Sequence, residues 1–455
     1  MQSRSLKIHK AFKIGITHRG DLDLLKSPIV VGWEQTNGIY GCDDYTALAA
    51  TESGNLAILK WCLSNGCIEG DPICTMAAYK GQLEILKWAR SNKHRWGSNV
   101  CYLAAQQGNL ELLKWARENG CPWDIYTCSM AAESGNFAIL KWARDNGCPW
   151  SASTVSLAAK NGHFEIVQWA RAIHCCNWDT NTCALASKGG HLRILQWARE
   201  NGCAWNSDTC RYAAMEGHLE ILKWAIDNGC PLGADAATSA ACAGHLAILK
   251  YLRNDIEYSF WDNNSLCSSA ARSGQLHILN WAKDEGLFTP VGIICTEALV
   301  HGHLDVVKWG LANGCTWELS NMHVAAEEGY MHILEWAASN YKLPWNTNSN
   351  MCASAASGGH LKVLKWARNM GFPWSLQVCS KAAIKGHLKV LKWARENGCE
   401  WDESVCASAA AHGHLDVLKW ALENGCKWDK KACEKLAERN RHNAVVCWIK
   451  KQQAN

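Results

Sequence analysis

The sequence predicts an all-α solenoid in which about 16 helical pairs stack one upon the next, and three observations carry that expectation. A glycine ahead of an HLEIL-like run recurs from Gly20 and Gly54 through Gly81, Gly108, Gly135, Gly162, Gly190, Gly217, Gly244, Gly274, Gly302, Gly329, Gly359 and Gly386 to Gly413, with Asn440 in the same place at the end. Ten of the fifteen spacings are 27 residues. The composition is lopsided, with 26 Trp and 25 Cys against 6 Phe in 455 residues, as happens when one short motif is copied many times. Each period holds two stretches of helical periodicity and no strand signal. A conventional compact domain cannot hold such a period, whereas a stack in which each copy packs on two neighbours can.

The copy from Thr127, TCSMAAESGNFAILKWARDNGCPW, shows how each element arises. Cys128, Ala131 and Ala132 fall on one side of a short first helix, and their small side chains allow close helix contact. Gly135 breaks that helix. In the second helix Phe137, Ile139, Leu140 and Trp142 make an apolar stripe expected to be buried, with Lys141 and Arg144 facing outward. The helix stops at Asn146-Gly147, because glycine after the last helical residue takes the left-handed conformation that satisfies terminal carbonyls. The same stop recurs at Asn119-Gly120, Asn201-Gly202, Asn397-Gly398 and Asn424-Gly425. Asp124, Asp402 and Asp429 are placed to cap the next first helix.

The run from Thr209 to Trp224 (TCRYAAMEGHLEILKW), with its starting Thr, paired Ala, Gly-His turn and apolar second helix, resembles the ankyrin repeat. The resemblance covers nearly the whole chain and implies an ankyrin-like solenoid, right-handed, serving protein–protein interaction. Two departures stand out. The usual Pro-Leu-His after the Thr is replaced by Cys and variable residues, and 27 residues is about six short of the usual 33. The missing residues fall where ankyrin repeats carry a projecting hairpin finger, so most fingers are expected to be absent. This compressed form, with signatures such as Leu113 to Asp124, resembles the ankyrin proteins multiplied in giant DNA viruses of amoebae, which implies a viral protein meeting host proteins in the cytoplasm.

Three regions follow. Residues 1–44 are expected to be an N-terminal capping repeat, whose first spacing of 34 leaves room for a hairpin over Ile29 to Tyr40 around Asn37-Gly38. Residues 45–429 form the array. Residues 430–455 trade the apolar pattern of the first helix for charge, as a terminal repeat facing water requires. Extensions at Asp255 to Trp261 and Asn340 to Trp345 fall at the former finger position, where they either widen a binding surface or are tolerated drift.

At 48% hydrophobic and 19% charged, the composition excludes disorder. No run of about 18 apolar residues spans a membrane, and MQSRSLKIHKAFKIG lacks the apolar core of a signal peptide. An intracellular chain is expected, with reduced thiols. A net charge of +4 is too small to argue for nucleic acid.

The cysteines fall on two ladders, one through Cys101, Cys128 and Cys379 in the first helices, the other through Cys121, Cys148 and Cys399 after the second helices. Equivalent positions in neighbouring repeats lie roughly 10 Å apart, from helix packing distances, too far for a disulfide or a shared tetrahedral ion. A cross-ladder pair seven residues apart, such as Cys121 and Cys128, has the better chance of approach, but two thiols are not a structural zinc site. The cysteines therefore read as small buried residues. Cys175-Cys176 is the one doublet outside the pattern. His163, His191, His218, His245, His303, His360, His387 and His414 share one turn position, which suits inter-repeat hydrogen bonding; a catalytic histidine would be singular and partnered. No phosphate loop, nucleophile elbow, carboxylate pair or metal triad rises above the repeat. No enzyme, cofactor or metal is expected.

The tryptophans also form two ladders. Fourteen, from Trp61 to Trp448, continue the second-helix stripe and read as core; eleven, from Trp96 to Trp428, sit in the connectors, where partial exposure is expected. Lys114 and Lys141 precede the helix Trp, and Arg117 and Arg144 follow three residues later, a nucleic-acid-like signal offset by Glu111 and Glu118 on the same helix.

What varies on this fixed frame is the first helix. Tyr79, Gln106, Glu133, Lys160, Lys188 and Met215 occupy one position in successive repeats, and Thr75, Tyr102, Ser129 and Arg211 another, all expected to be exposed. Such variation suits a recognition surface. The expected function is a non-catalytic scaffold binding host or viral proteins there; the alternatives are a structural component of a virion or assembly, and nucleic-acid binding through the Lys/Arg ladder.

Overall fold

The computed structural model describes residues 44–64, 71–173, 178–256, 260–316, 319–340, 350–375 and 377–452. Among them the chain forms thirty α-helices and no strand, arranged as fifteen helical pairs. The all-α helical-pair solenoid expected from the period is what the protein adopts. The repeat around Gly20 with its expected hairpin, the Cys175-Cys176 doublet and most of the extension after Asn340 lie outside the described residues, as do 257–259 of the other extension.

One pair shows why these residues fold so. The first helix, Ile125–Glu133, begins where the Asp124 carboxylate accepts the amide of Tyr126 at 3.0 Å. It ends at Gly135, whose φ of 73° lets the Asn136 amide reach back to the Ala131 carbonyl at 2.8 Å. The second helix, Phe137–Asp145, closes in the same way. Gly147 sits at φ 81° and the Cys148 amide donates to the Ala143 carbonyl at 2.9 Å, so both helices stop in a Schellman motif. That motif turns the residue after the glycine inward. It is the reason a cysteine there, as at Cys121, Cys148 and Cys399, is buried.

The chain divides into two compact units, Met1–Ala236 and Ala237–Asn455, and each is a stack of such pairs. Within each unit the first helices lie side by side, joined through fully buried Ala and Cys: Cys128, Ala131 and Ala132 in one, Cys379, Ala382 and Ala383 in another. The second helices make few direct contacts with one another. Small residues on one layer and tryptophan on the other make each pair a wedge, narrow at the first helix.

The structure corrects the expected core of the second helix. Ile139, Leu140 and Ala143 are buried, but Phe137 and Trp142 are only half-buried, and of the helix tryptophans in the described residues only Trp281 is buried. A large indole cannot enter a layer whose close spacing depends on alanine. It lies instead across the joint between pairs.

Candidate partner-binding surface

The histidine ladder fixes the frame of this surface. His163 Nε2 lies 3.0 Å from the Glu133 carbonyl of the preceding pair, and His303, His387 and His414 make the same bond to Arg272, Ser357 and Ile384 at 3.1, 3.0 and 3.0 Å. Asn136 does the same with its amide, donating to Ala105 and Gln106 at 2.8 and 3.2 Å, and Asn440 donates to Ala411 at 2.7 Å. The turn histidines are thus inter-repeat hydrogen-bond groups. Burial pushes the His191 and His387 imidazoles below their ordinary value, against the opposing effect of their hydrogen bonds to the Lys160 and Ser357 carbonyls. Gly189 adds a steric condition, since a Cβ there would sit 1.9 Å from the Lys160 carbonyl oxygen.

Of the variable first-helix residues, Tyr79, Gln106, Glu133, Lys160, Lys188 and Met215 stand at the C-terminal ends of their helices, and Tyr102 and Arg211 in mid-helix. Tyr79 is 45% exposed, with the Lys80 ammonium 5.3 Å from its ring and paired to Glu52 at 2.6 Å. Met215 is 40% exposed, while Tyr102, Gln106, Glu133, Lys160, Lys188 and Arg211 are half-buried. Lys188 and Arg211 are brought together over the Tyr212 ring, at 5.1 and 4.2 Å, and Arg211 is held by Asp208 at 2.7 Å. That ion pair and Tyr212 raise the Arg211 guanidinium above its ordinary value. Gln106, Glu133 and Lys160 are related through carbonyls bound by the next pair.

Two findings alter the expected membership. Ser129 is buried, with its hydroxyl 3.3 Å from those of Ser153 and Thr154, because the adjacent first helix packs directly on it. Tyr126, which the repeat position did not single out, is 57% exposed beside Ile125 at 39%, and its ring meets that of Tyr102 edge-on at 6.4 Å. The signal was in the sequence: Tyr126 lies between the Asp124 cap and the buried Thr127, one step off the buried face.

The opposite edge carries clusters of Lys, Arg and Trp. Trp123 meets Trp142 of the following pair at 5.9 Å; Arg117 stacks on Trp123 at 4.0 Å, and Lys114 lies 5.9 Å from the Trp142 ring. Arg144 with Trp150 and Arg395 with Trp401 repeat the stack at 4.5 and 4.3 Å. The arginines also donate to the carbonyls of the buried cysteines, Arg144 to Cys148 at 2.6 Å and Arg117 to Cys121. Arg144 was expected to face outward, yet it folds back as structural glue. Lys114, Arg117, Glu118, Trp123, Trp142 and Asn146 line an open cavity of about 440 Å³.

The cysteines pair in a way their spacing did not suggest. In seven repeats the first-helix thiol contacts the post-helix thiol twenty residues later, as in Cys101 with Cys121, Cys128 with Cys148, and Cys379 with Cys399, whose sulfurs are 3.5 Å apart. The expected neighbours seven residues apart are not these partners. The Schellman turn folds the chain back onto its own first helix, so the pair forms within one repeat. Among the described residues no group of three or more His, Cys, Asp or Glu side chains is gathered to hold a metal, and no helix is long and apolar enough to cross a membrane.

Among solved structures the chain is similar to the pentatricopeptide repeat protein PPR10 from maize, at 12% identity over 97% of this chain and 79% of that one, with a TM-score of 0.32. It is similar to PPR10 in complex with an 18-nt psaJ RNA element, at 12% identity over 98% and 85%, TM-score 0.27. It is also similar to the human ASB11 ankyrin repeat domain, at 17% identity over 42% of this chain and 99% of that domain, TM-score 0.32. No curated protein matches the sequence. Residues 379–422, which run from the first helix Gln377–Ile384 through two helical pairs to the second helix Leu415–Glu423, match the ankyrin-repeat family, described as ankyrin repeats in many copies.

Proposed function

We propose that the chain is a non-catalytic scaffold that binds proteins through its first-helix surface, with Tyr79, Tyr102 and Tyr126 as the apolar anchors and Gln106, Glu133, Lys160, Lys188, Arg211 and Met215 as the variable contacts beside them. The observation that carries the reading is that Tyr79 and Tyr126 are exposed, with the half-buried Tyr102 meeting Tyr126 edge-on, on a frame whose Gln106 and Glu133 carbonyls the next repeat holds. Exposed aromatic side chains on a rigid frame give large contact area for little ordering cost. The compressed repeat favours host proteins as partners of a viral chain, in the host cytoplasm.

The test is capture of partners from a cell extract by the full chain and by two variants. Replacing Tyr79, Tyr102 and Tyr126 with Ser should abolish capture of the dominant protein partner, while the exposed changes at Tyr79 and Tyr126 shift thermal stability by less than about 0.5 kcal/mol each and the half-buried Tyr102 accounts for most of any further shift. Reversing Lys114 and Lys141 to Glu should leave that partner bound. Loss in the second variant alone would place binding on the lysine and tryptophan edge. Binding that falls steeply with salt would then favour nucleic acid, and stoichiometric recovery in purified particles would favour a structural component.

A further inference from the structure

Buried thiol pairs recur in this protein as a third feature beside the hydrogen-bond frame and the tryptophan joints. Cys379 donates its S–H to the Cys399 sulfur at 3.5 Å, and both residues are fully buried. Disulfide bonding would need the sulfurs to approach by about 1.5 Å more. The two members differ in electrostatic setting. The Cys379 S–H and, beyond it, the guanidiniums of Arg395 and Arg368 hold the Cys399 thiol below its ordinary range against the opposing effect of burial, while Cys379 is pushed up by acting as that donor and by burial. Cys406 with Cys426 shows the same asymmetry. Four first-helix cysteines lack such a partner. At the position facing Cys352 stands Phe372, whose carbonyl lies 3.9 Å from that sulfur, and twenty residues after Cys74, Cys267 and Cys433 stand His94, Leu287 and Gln453.

We propose that the seven thiol pairs spaced twenty residues apart are disulfide-forming sites, each able to staple a first helix to the turn after its own second helix in exchange with a small-molecule disulfide of the glutathione type. The turn thiolate, Cys399 in the pair whose sulfurs lie 3.5 Å apart, attacks one sulfur of the small disulfide. Its S–S bond breaks, and one small thiol leaves with a proton. The Cys379 thiolate then attacks the Cys399 sulfur of the mixed disulfide, the second small thiol leaves with the other proton, and the Cys379–Cys399 bond forms. Two protein thiols are oxidised by two electrons, and one small disulfide is reduced to two thiols. Access comes through local opening of the turn, where Asn397 and Gly398 beside Cys399 are exposed. The staple closes around a single helix, so oxidation would stiffen repeats one at a time rather than link distant ones.

The experiment exposes the full native chain to graded ratios of oxidised to reduced glutathione, blocks free thiols, and maps cross-linked peptides by mass spectrometry. Cross-links are expected between Cys379 and Cys399 and between Cys406 and Cys426, with Cys352 and Cys267 still alkylated as thiols. Hydrogen exchange in the helix Gln377–Ile384 should slow at least threefold in the oxidised protein. In Cys379→Ser, Cys399 should stop at the glutathione adduct while Cys406 and Cys426 still cross-link, which separates failure to fold from failure to resolve. Cross-links seven or 27 residues apart would overturn the proposal. So would paired thiols that stay reduced at a ratio that fully modifies the exposed Cys242 and Cys447.

Discussion

At the scale of single residues, the repeat turns on small groups placed against carbonyl oxygens. The Lys160 carbonyl accepts a hydrogen bond from the His191 ring and lies close against the Gly189 backbone, so that a Cβ at Gly189 would come within 1.9 Å of that oxygen. Gly189→Ala should therefore cost about 1–3 kcal/mol by forcing the two repeats apart, read as a lower urea midpoint. The histidines add a pH dependence whose sign is fixed. His191 and His387 have folded values below the ordinary 6.5, so the unfolded chain binds more protons than the folded one below that pH. Their contribution is present above about pH 6.5 and lost as the pH falls through the depressed folded values. His387→Asn should flatten part of this acid sensitivity while leaving neutral-pH stability within about 1 kcal/mol, because Asn136, at the equivalent turn position, makes the same carbonyl bond without titrating. Urea titrations at pH 7.5 and pH 5 compare the two proteins.

At the scale of elements, a helical pair is held to its neighbour by aromatic and cationic side chains as much as by alanine packing. Trp142 sits against Trp123 and under Lys114, and Arg117 closes the cluster by stacking on Trp123 and binding the Cys121 carbonyl. Because Trp142 is half-buried, Trp142→Ala should cost about 2 kcal/mol, below the 3–5 kcal/mol of a fully buried aromatic. Hydrogen exchange should rise in Leu110–Glu118 and Phe137–Asp145 and stay unchanged in Leu192–Glu200. The helical periodicity made the apolar stripe plain. It could not separate a residue inside the layer from one lying across its edge, since both recur at helical spacing; the size of indole against the close first-helix packing decides that.

At the scale of the whole molecule, stability is a sum of terms between neighbouring pairs, because few contacts reach beyond the next repeat. Leu140, fully buried in the unit Met1–Ala236, offers a direct check. Leu140→Ala should lower protection by the equivalent of about 2–5 kcal/mol in its own and adjoining pairs, while amides of Leu388–Glu396 keep their rates. A uniform loss would show one cooperative body instead of a stack. The proposed recognition surface obeys the same logic, since removing Tyr79, Tyr102 and Tyr126 takes away contacts along one stretch without changing the frame.

The period of 27, the Asn-Gly stops and the capping aspartates determined the helical pairs from sequence alone, because caps, glycine turns and apolar spacing act within a dozen residues. The inter-repeat role of the turn histidines was legible for the same reason, being repeated at one register. Tertiary structure decided what depends on two segments meeting: that Ser129 is covered by the next helix, that Tyr126 stands beside Tyr102, that Arg144 folds back onto Trp150 and the Cys148 carbonyl, and that the seven thiol pairs join cysteines twenty residues apart rather than seven. Distance along the chain does not fix distance in space once a Schellman turn reverses its direction, and the rotation imposed by that turn is what pairs these side chains.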